Sequence, residues 1–341
     1  PTPTPATSFP MTRGRRVALA IGLPVCLVLV AGTAFSLAGD IGMGRYPVNY
    51  AVPAGTKALT LNVDGQLTIR PATAGQAATL TGTAKYSLVR SKLSESTTSS
   101  GTTIGYRCPI PTGDCELDAT VTVPPTVTTL TANSGAGDAT VTGTTGPVNL
   151  STGDGNLSVS HASGPLTLNT ASGSIDVKAS TPATLSASSG DGNIQAEGVS
   201  AKAITANTNS GSIEVSDITS PALSASSGDG NIQAGGVSAK AITANTNSGS
   251  ISWSGIAADK ITASSGSGGI QITFTSVPAN VRVNTNSGSI TLVLPRGGTA
   301  YHIYANTLSG TVSDGTIPTV DSSGHVITAT SGSGDISITE Q

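Results

Sequence analysis

From residue 126 onward, apolar side chains return in a fixed phase. With the glycine before each polar-then-apolar pair taken as position zero, the phase points are Gly137, Gly155, Gly173, Gly192, Gly211, Gly230, Gly249, Gly268, Gly288, Gly310 and Gly334. Position −7 is apolar in every unit, from Leu130 to Ile327, and position −5 is always Ala, Leu or Val. Position +2 runs from Ala139 through a series of isoleucines to Ile336, and +4 is apolar except at Asp314. Residues two apart share a strand face. Each unit of ~19 residues therefore predicts two short strands with inward faces −7/−5 and +2/+4, and the glycine marks the corner between them.

The corner has its own pattern. Position −2 is Gly or Asn in most units, as at Gly190, Asn209, Gly228 and Asn247, which predicts positive φ there. Position −3 is always Ser or Thr, in phase with the inward positions, so its hydroxyls are expected to bond along the stack or to corner backbone groups. Residues 185–213 recur at 223–251 with one change, Glu197 becoming Gly235, so two units are copied together.

One such unit cannot bury its own apolar face and has to stack on another. The predicted fold is all-β: a parallel β-helix, or β-solenoid, of about eleven ~19-residue rungs. The crossover rule favours a right-handed coil. Residues 46–125 follow the phase poorly, although 59–70 looks like an early rung. They read as an N-terminal β cap, with a polar loop over 91–101. At the other end, the final SISITEQ is expected to form the open edge and to be available for end-to-end self-association.

Composition changes the picture mainly at the N-terminal end. Only 10% of residues are charged and 3% are aromatic, against 42 glycines, so the core must use small aliphatic side chains. Residues 1–16 form a Pro/Thr-rich, basic segment expected to be disordered and cytoplasmic. The uncharged apolar run 17–37 is long enough to cross a bilayer, where about 20 residues are needed. Arg13, Arg15 and Arg16 before the run predict a single-pass anchor with a cytoplasmic N-terminus and an extracytoplasmic body, residues 126–341 forming the solenoid repeats. A cleaved signal sequence, with Ser36-Leu37-Ala38 as its site, is the competing expectation. All 19 acids follow residue 39, leaving no basic stripe for nucleic acid. In an exported domain, Cys108 and Cys115 predict a disulfide.

The apolar segment, the stretch YPVNYAVPAGTKALTLNVDGQLTIR, the two-cysteine stretch YRCPIPTGDCELDATVTVP and the successive SGDGNI and NSGSI turns resemble the bacterial β-strand-repeat adhesin family, domain-of-unknown-function family 4097. The resemblance covers residues 46–341. It implies an exported β-solenoid associated with the cell envelope.

Candidate chemistry is sparse. SGDGN is similar to a calcium nonapeptide loop, but Asn193 stands where that loop needs its Asp, and Asp154, Asp191 and Asp229 recur only on alternate rungs. No metal or cofactor is expected. The outward +3 positions Asp176, Gln195, Glu214 and Gln233 lie on successive rungs and form a candidate contact face. Asp176 and Glu214 would stand ~10 Å apart, near the limit for an inverting carboxylate pair. Lys178 is placed to neutralise Asp176, and no group is placed to tune either carboxylate as an acid. His161, His302 and His325 fall in different phases and are expected on the surface, and Trp253 takes an inward +4 position.

The expectation is a non-enzymatic, membrane-anchored, adhesin-like or scaffold surface, whose partner is a cell-surface glycan or an envelope protein. An accessory of envelope-stress signalling that binds a protein, peptide or lipid is the alternative. A glycan-active β-helix enzyme is a weaker one.

Overall fold

The computed structural model describes residues 43–73, 75–87, 89–107, 115–315 and 317–341. The expected disordered segment, the membrane span and Cys108 lie outside the described residues. Among the described residues there is no helix, and 26 strands join in one continuous, non-closed sheet. From Thr129–Ser134 to Ile290–Leu294 the strands pair in parallel, each with its equivalent in the preceding unit: Leu166 opposite Leu185, Leu185 opposite Ile204, Ile204 opposite Leu223. The second strand of each unit forms its own ladder, with Ile175, Ile194, Ile213 and Ile232 in line. This is a β-solenoid-like stack, and the residues at −7, −5, +2 and +4 make one continuous buried core through the regular rungs.

The cross-section has a third side that the periodicity did not reveal. In the strands Ile213–Ser227, Ile232–Thr246 and Ile251–Ser265 the chain stays extended from +2 round to −3 of the next unit, and Ile218 pairs with Val237 on the extra side. Position +7 points inward here: Val199, Ile218, Val237 and Ile256 are fully buried, as are Ala162 and Ser180 on earlier rungs. The signal was present, but only four of these residues are large and apolar, too few to stand out beside −7 and +2.

The corner glycines do not serve the purpose expected of their neighbours. None of Gly190, Asn209, Gly228 and Asn247 has positive φ. Positive φ falls at +6 instead, at Gly143, His161, Ala179, Gly198, Asp217, Gly236 and Gly255, with values of 44–68°. The chain therefore makes its left-handed turn between the second and third sides. At position zero the constraint is steric. A Cβ on Gly192 would lie 2.0 Å from the carbonyl oxygen of Gly173, and one on Gly211 would lie 2.0 Å from that of Gly192. The same holds at Gly155, Gly173, Gly230, Gly249, Gly268 and Gly288, at 1.9–2.2 Å. Backbones meet at the corner, and only hydrogen fits between them.

The −3 hydroxyls close this corner as expected. Thr208 Oγ1 donates to Gly192 O at 3.0 Å and accepts from Gly211 N–H at 3.2 Å, and Ser227 repeats the pattern with Gly211 and Gly230 at 2.8 and 2.9 Å. Each hydroxyl ties its own corner to the one before it. We expect Thr208→Val, which keeps the shape and deletes the hydroxyl, to cost about 1–3 kcal/mol in urea unfolding, because it strands a buried N–H and a carbonyl. Thr208→Ser should be nearly neutral, since Ser227 makes the same two bonds.

Corner hydrogen bonds also explain the paired copying. In Gly-type corners the −2 amide reaches the −3 carbonyl of the preceding rung, as in Gly190 N to Thr170 O and Gly228 N to Thr208 O, both 3.1 Å. In Asn-type corners it reaches the −2 carbonyl, as in Asn209 N to Gly190 O and Asn247 N to Gly228 O, both 2.8 Å. From Gly190 to Asn286 the two corner types alternate along the stack; earlier, Gly135 and Gly153 are consecutive, and Gly153 N lies 2.7 Å from Gly135 O. A duplication that keeps them interlocked must carry two rungs.

Both ends depart from chain order. Leu59–Val63 and Leu67–Pro71 form an early rung that packs on the Gly137 rung, as expected. A further rung, Thr102–Tyr106 with Cys115–Val123, packs on its outer side. Antiparallel strands then cap this end: Thr79–Ser87 on Cys115–Val123, Met43–Ala51 beyond it, and Leu93–Thr97 on Thr102–Tyr106. Leu93–Thr97 corrects the expected polar loop, whose Ser, Glu and Thr residues suit an exposed edge strand.

At the C-terminal end, Val326–Ser333 and Ile336–Glu340 insert between the Gly288 rung and the Gly310 rung. SISITEQ is therefore an inner rung and not the open edge. The edge belongs to His302–Ser309 and Val312–Ser313, which explains why this rung alone carries Leu308 at −2 and Asp314 at +4. With no rung outside it among the described residues, it has no outer corner to fit and little core to fill.

Candidate binding faces

The outward surface is built from the polar residues that alternate with the core. On the first side, position −6 forms the ladder Ser186, Thr205, Ser224, Thr243 and Thr262, and position −4 forms Ser188, Asn207, Ser226, Asn245 and Ser264. The rows repeat at the strand spacing, about 4.8 Å, with about 7 Å between −6 and −4 along each strand. Hydroxyls and amides thus form a neutral, two-dimensional array. Where −4 meets the corner, Ser188, Asn207, Asn209, Ser226, Asn245 and Asn247 line a shallow groove of about 300 Å³.

On the second side Asp176, Gln195, Glu214 and Gln233 stand in consecutive register, followed by Ser252 and Gln271. Lys178 Nζ lies 2.9 Å from Asp176 Oδ2, and this carboxylate holds the ammonium above its ordinary range. Glu197 sits beside Lys178 on the next rung, while its counterpart Gly235 lies between Ser216 and Ser254. Asp191 and Asp229 accept hydrogen bonds from Ser210 and Ser248, and Asn193 and Asn231 accept from the amides of Ser212 and Ser250. These side chains serve the turns. Among the described residues no group of three or more His, Cys, Asp or Glu is arranged to hold a metal.

The histidines are not as scattered as their phases suggest. His161 is exposed at a positive-φ turn, but the His302 amide donates to the His325 carbonyl at 2.8 Å. The end-rung rearrangement brings these two together, and it could not be read from the repeat. Their rings face different partners: His302 lies against Tyr304, and His325 lies against Tyr301 and bonds Pro278 O through Nδ1.

The cap holds a feature the sequence pattern did not mark. A concavity of about 430 Å³ is lined by Asp64, Lys85, Tyr86, Cys115, Glu116 and the corner glycines Gly65 and Gly137. Lys85 reaches Glu116 at 2.6 Å and Asp118 at 3.0 Å across an antiparallel strand pair. Burial pushes the Asp118 carboxyl up, but Lys85 and the Gln66 amide outweigh it and hold the carboxyl below its usual range. Its contribution to stability is present above the unfolded-state carboxylate pKa and is lost as pH falls through the folded one. Asp118→Asn should therefore flatten the acid limb of the stability curve, measured by thermal unfolding between neutral and acid pH.

The class this geometry defines is an all-β, coiled rod of stacked parallel rungs with polar faces. Residues 178–339, a little under half of the chain, match the family model described as Toastrack DUF4097. Three similar crystal structures are each described as that of a "putative adhesin". The one from Bacteroides fragilis is 14% identical, covers 74% of this chain and 97% of its own, and has a TM-score of 0.38. Those from Parabacteroides merdae and Parabacteroides distasonis are each 11% identical; they cover 89% and 87% of this chain and 98% and 97% of their own, with TM-scores of 0.38 and 0.34. No curated protein matches the sequence.

Proposed function

We propose that the protein is a non-enzymatic, adhesin-like binding rod of the cell envelope, anchored by residues 17–37 with its body outside the membrane. The observation that supports this is the in-register array of hydroxyls and amides on the first side. Neutral donors and acceptors repeating every ~4.8 Å offer an extended polysaccharide many equivalent hydrogen bonds, and no single deep pocket is required. Affinity then comes from the number of rungs engaged.

The test is retention of the purified protein on isolated envelope polysaccharide. Thr205→Glu with Thr243→Glu should abolish retention and leave the unfolding midpoint unchanged, since both side chains point outward. Retention that survives both substitutions would sink the assignment of this face. For the anchor, deleting residues 17–37 should move the protein from the membrane fraction to the soluble one. In the same compartment the Cys108–Cys115 disulfide should form, and its reduction should lower stability by about 2–3 kcal/mol, read from urea unfolding with and without reductant.

A further inference from the structure

We infer that the C-terminal tip is a self-association edge, at which two copies of the chain pair their His302–Ser309 strands antiparallel about a two-fold axis. Among the described residues this strand is paired on one side only, by Val326–Ser333. Its inward residues Ile303 and Ala305 are half-buried, where their equivalents on the regular rungs are fully buried. Its outward residues Tyr304 and Leu308 are 55% and 84% exposed, and Val312 beyond the corner is 45% exposed. Large apolar residues are unusual at the outward positions of this chain, which are mostly Ser, Thr, Asn and Gln with a few charged residues such as Asp176, Glu214 and Arg282.

Edges that must stay unpaired carry charge or proline. The opposite end of the rod does so: its outer strands present Arg45, Pro47 and Glu95, all exposed. The strand HIYANTLS has no Asp, Glu, Lys or Arg. That contrast argues against head-to-tail stacking and favours tip meeting tip, because no Asp, Glu, Lys or Arg of the strand is set against its own copy; the acids of this tip, Asp314 and Asp321, lie outside the strand. The spacing points to the same occupant. Tyr304 and Leu308 lie symmetrically about Asn306 on one strand face, so a two-fold axis at Asn306 sets each Tyr304 across from the copy's Leu308. Aromatic–aliphatic cross-strand pairs of this kind stabilise antiparallel sheets, and an isologous contact makes both at once. Just before the strand the outer side is already taken, which confines the contact to residues 302–309. Residues 317–320 close over Tyr301, with Tyr301 N bonded to Pro318 O and Val320 N to Tyr301 O. The inference is independent of the anchor and of the glycan face.

The test uses the full chain in detergent, its mass followed by light scattering across a dilution series. The wild type is expected to dimerise reversibly. Leu308→Lys alone, or Tyr304→Glu alone, should weaken the dimer at least about tenfold. Mixing the two variants should recover association, because the heterodimer restores one Tyr304–Leu308 pair and sets the introduced glutamate against the introduced lysine at the other. Asn306→Cys should form a covalent dimer on oxidation, and Asn284→Cys, two rungs inward on the same face, should not. Both charged substitutions are at exposed positions, and unchanged circular dichroism confirms that they fold. A monomeric wild type, a dimer indifferent to Leu308→Lys, or a mixture that fails to recover would each overturn the inference. Capture of a foreign peptide strand by a monomeric wild type would overturn it in favour of that partner.

Discussion

Gly211→Ala is expected to cost about 3 kcal/mol, the upper end of the range for overpacking a tight interior, although it adds a single methyl group. That methyl would lie 2.0 Å from Gly192 O, 2.5 Å from Gly192 C and 3.0 Å from Asn193 N. All three are backbone atoms, so no side chain can rotate away. Relief requires the two rungs to part at the corner. Parting lengthens the bonds of Thr208 to Gly192 O and Gly211 N, and it strains the strand pairing on either side, where Ile194 faces Ile213. Two other glycines serve as controls. Gly198 has a φ of 62° and no backbone contact closer than 3.7 Å, and Ala179 holds the same position one rung earlier. Gly198→Ala should cost only the left-handed penalty, about 1–2 kcal/mol. Gly235→Glu recreates the residue found at 197, and a Cβ there meets only Ser254 Oγ at 3.9 Å, so its effect should lie within about 0.5 kcal/mol. Urea unfolding followed by Trp253 fluorescence ranks the three. If Gly211→Ala proves as mild as Gly198→Ala, close backbone approach is not what holds glycine at position zero.

The same comparison shows what was legible before the structure. Positions −7, −5, +2 and +4 could be read because each is apolar in every unit or in all but one, and burial is the term a repeat cannot vary. The register of the Asp176, Gln195, Glu214, Gln233 ladder follows from the same phase. Positive φ was expected at −2 and occurs at +6, and the steric demand at position zero was not read, because a turn and a close approach both favour glycine. Only the neighbouring carbonyl distinguishes them, and it belongs to a residue about 19 positions away. The third side was missed because Ser180 and Val199 occupy equivalent buried sites, so the column has no single chemical signature. The exchange of the last two rungs could not be seen at all. Periodicity orders units along the chain, and nothing in it states that the Gly334 rung lies inside the Gly310 rung. The breaks in pattern at Leu308 and Asp314 were the visible trace of that exchange.

Trp253→Ala should be the most damaging change within the core, at about 3–5 kcal/mol. The indole is 2% exposed at a position held by Ala or Val on the preceding regular rungs, between Ala234 on one side and Ile272 on the other. A large side chain fits there because Ala234 is small, and the register against the next rung shifts just beyond it, between Trp253 and Ile256. Truncation leaves a cavity that stacked rungs cannot close without losing pairing on both sides. The indole is not an ideal occupant, however, since its buried Nε1–H has no partner among the described residues. An unpartnered buried donor costs about 1–3 kcal/mol, so Trp253→Phe removes that cost while giving up some packing, and its net effect should fall well below that of alanine. Circular dichroism in urea measures both variants, because each deletes the protein's single tryptophan. Equal losses for Phe and Ala would mean that the nitrogen finds a partner in solution and that volume alone does not account for this residue. A small loss for Phe beside a large one for Ala would show that the rod needs the ring's bulk at this rung, set against Ala234, and not its polar edge.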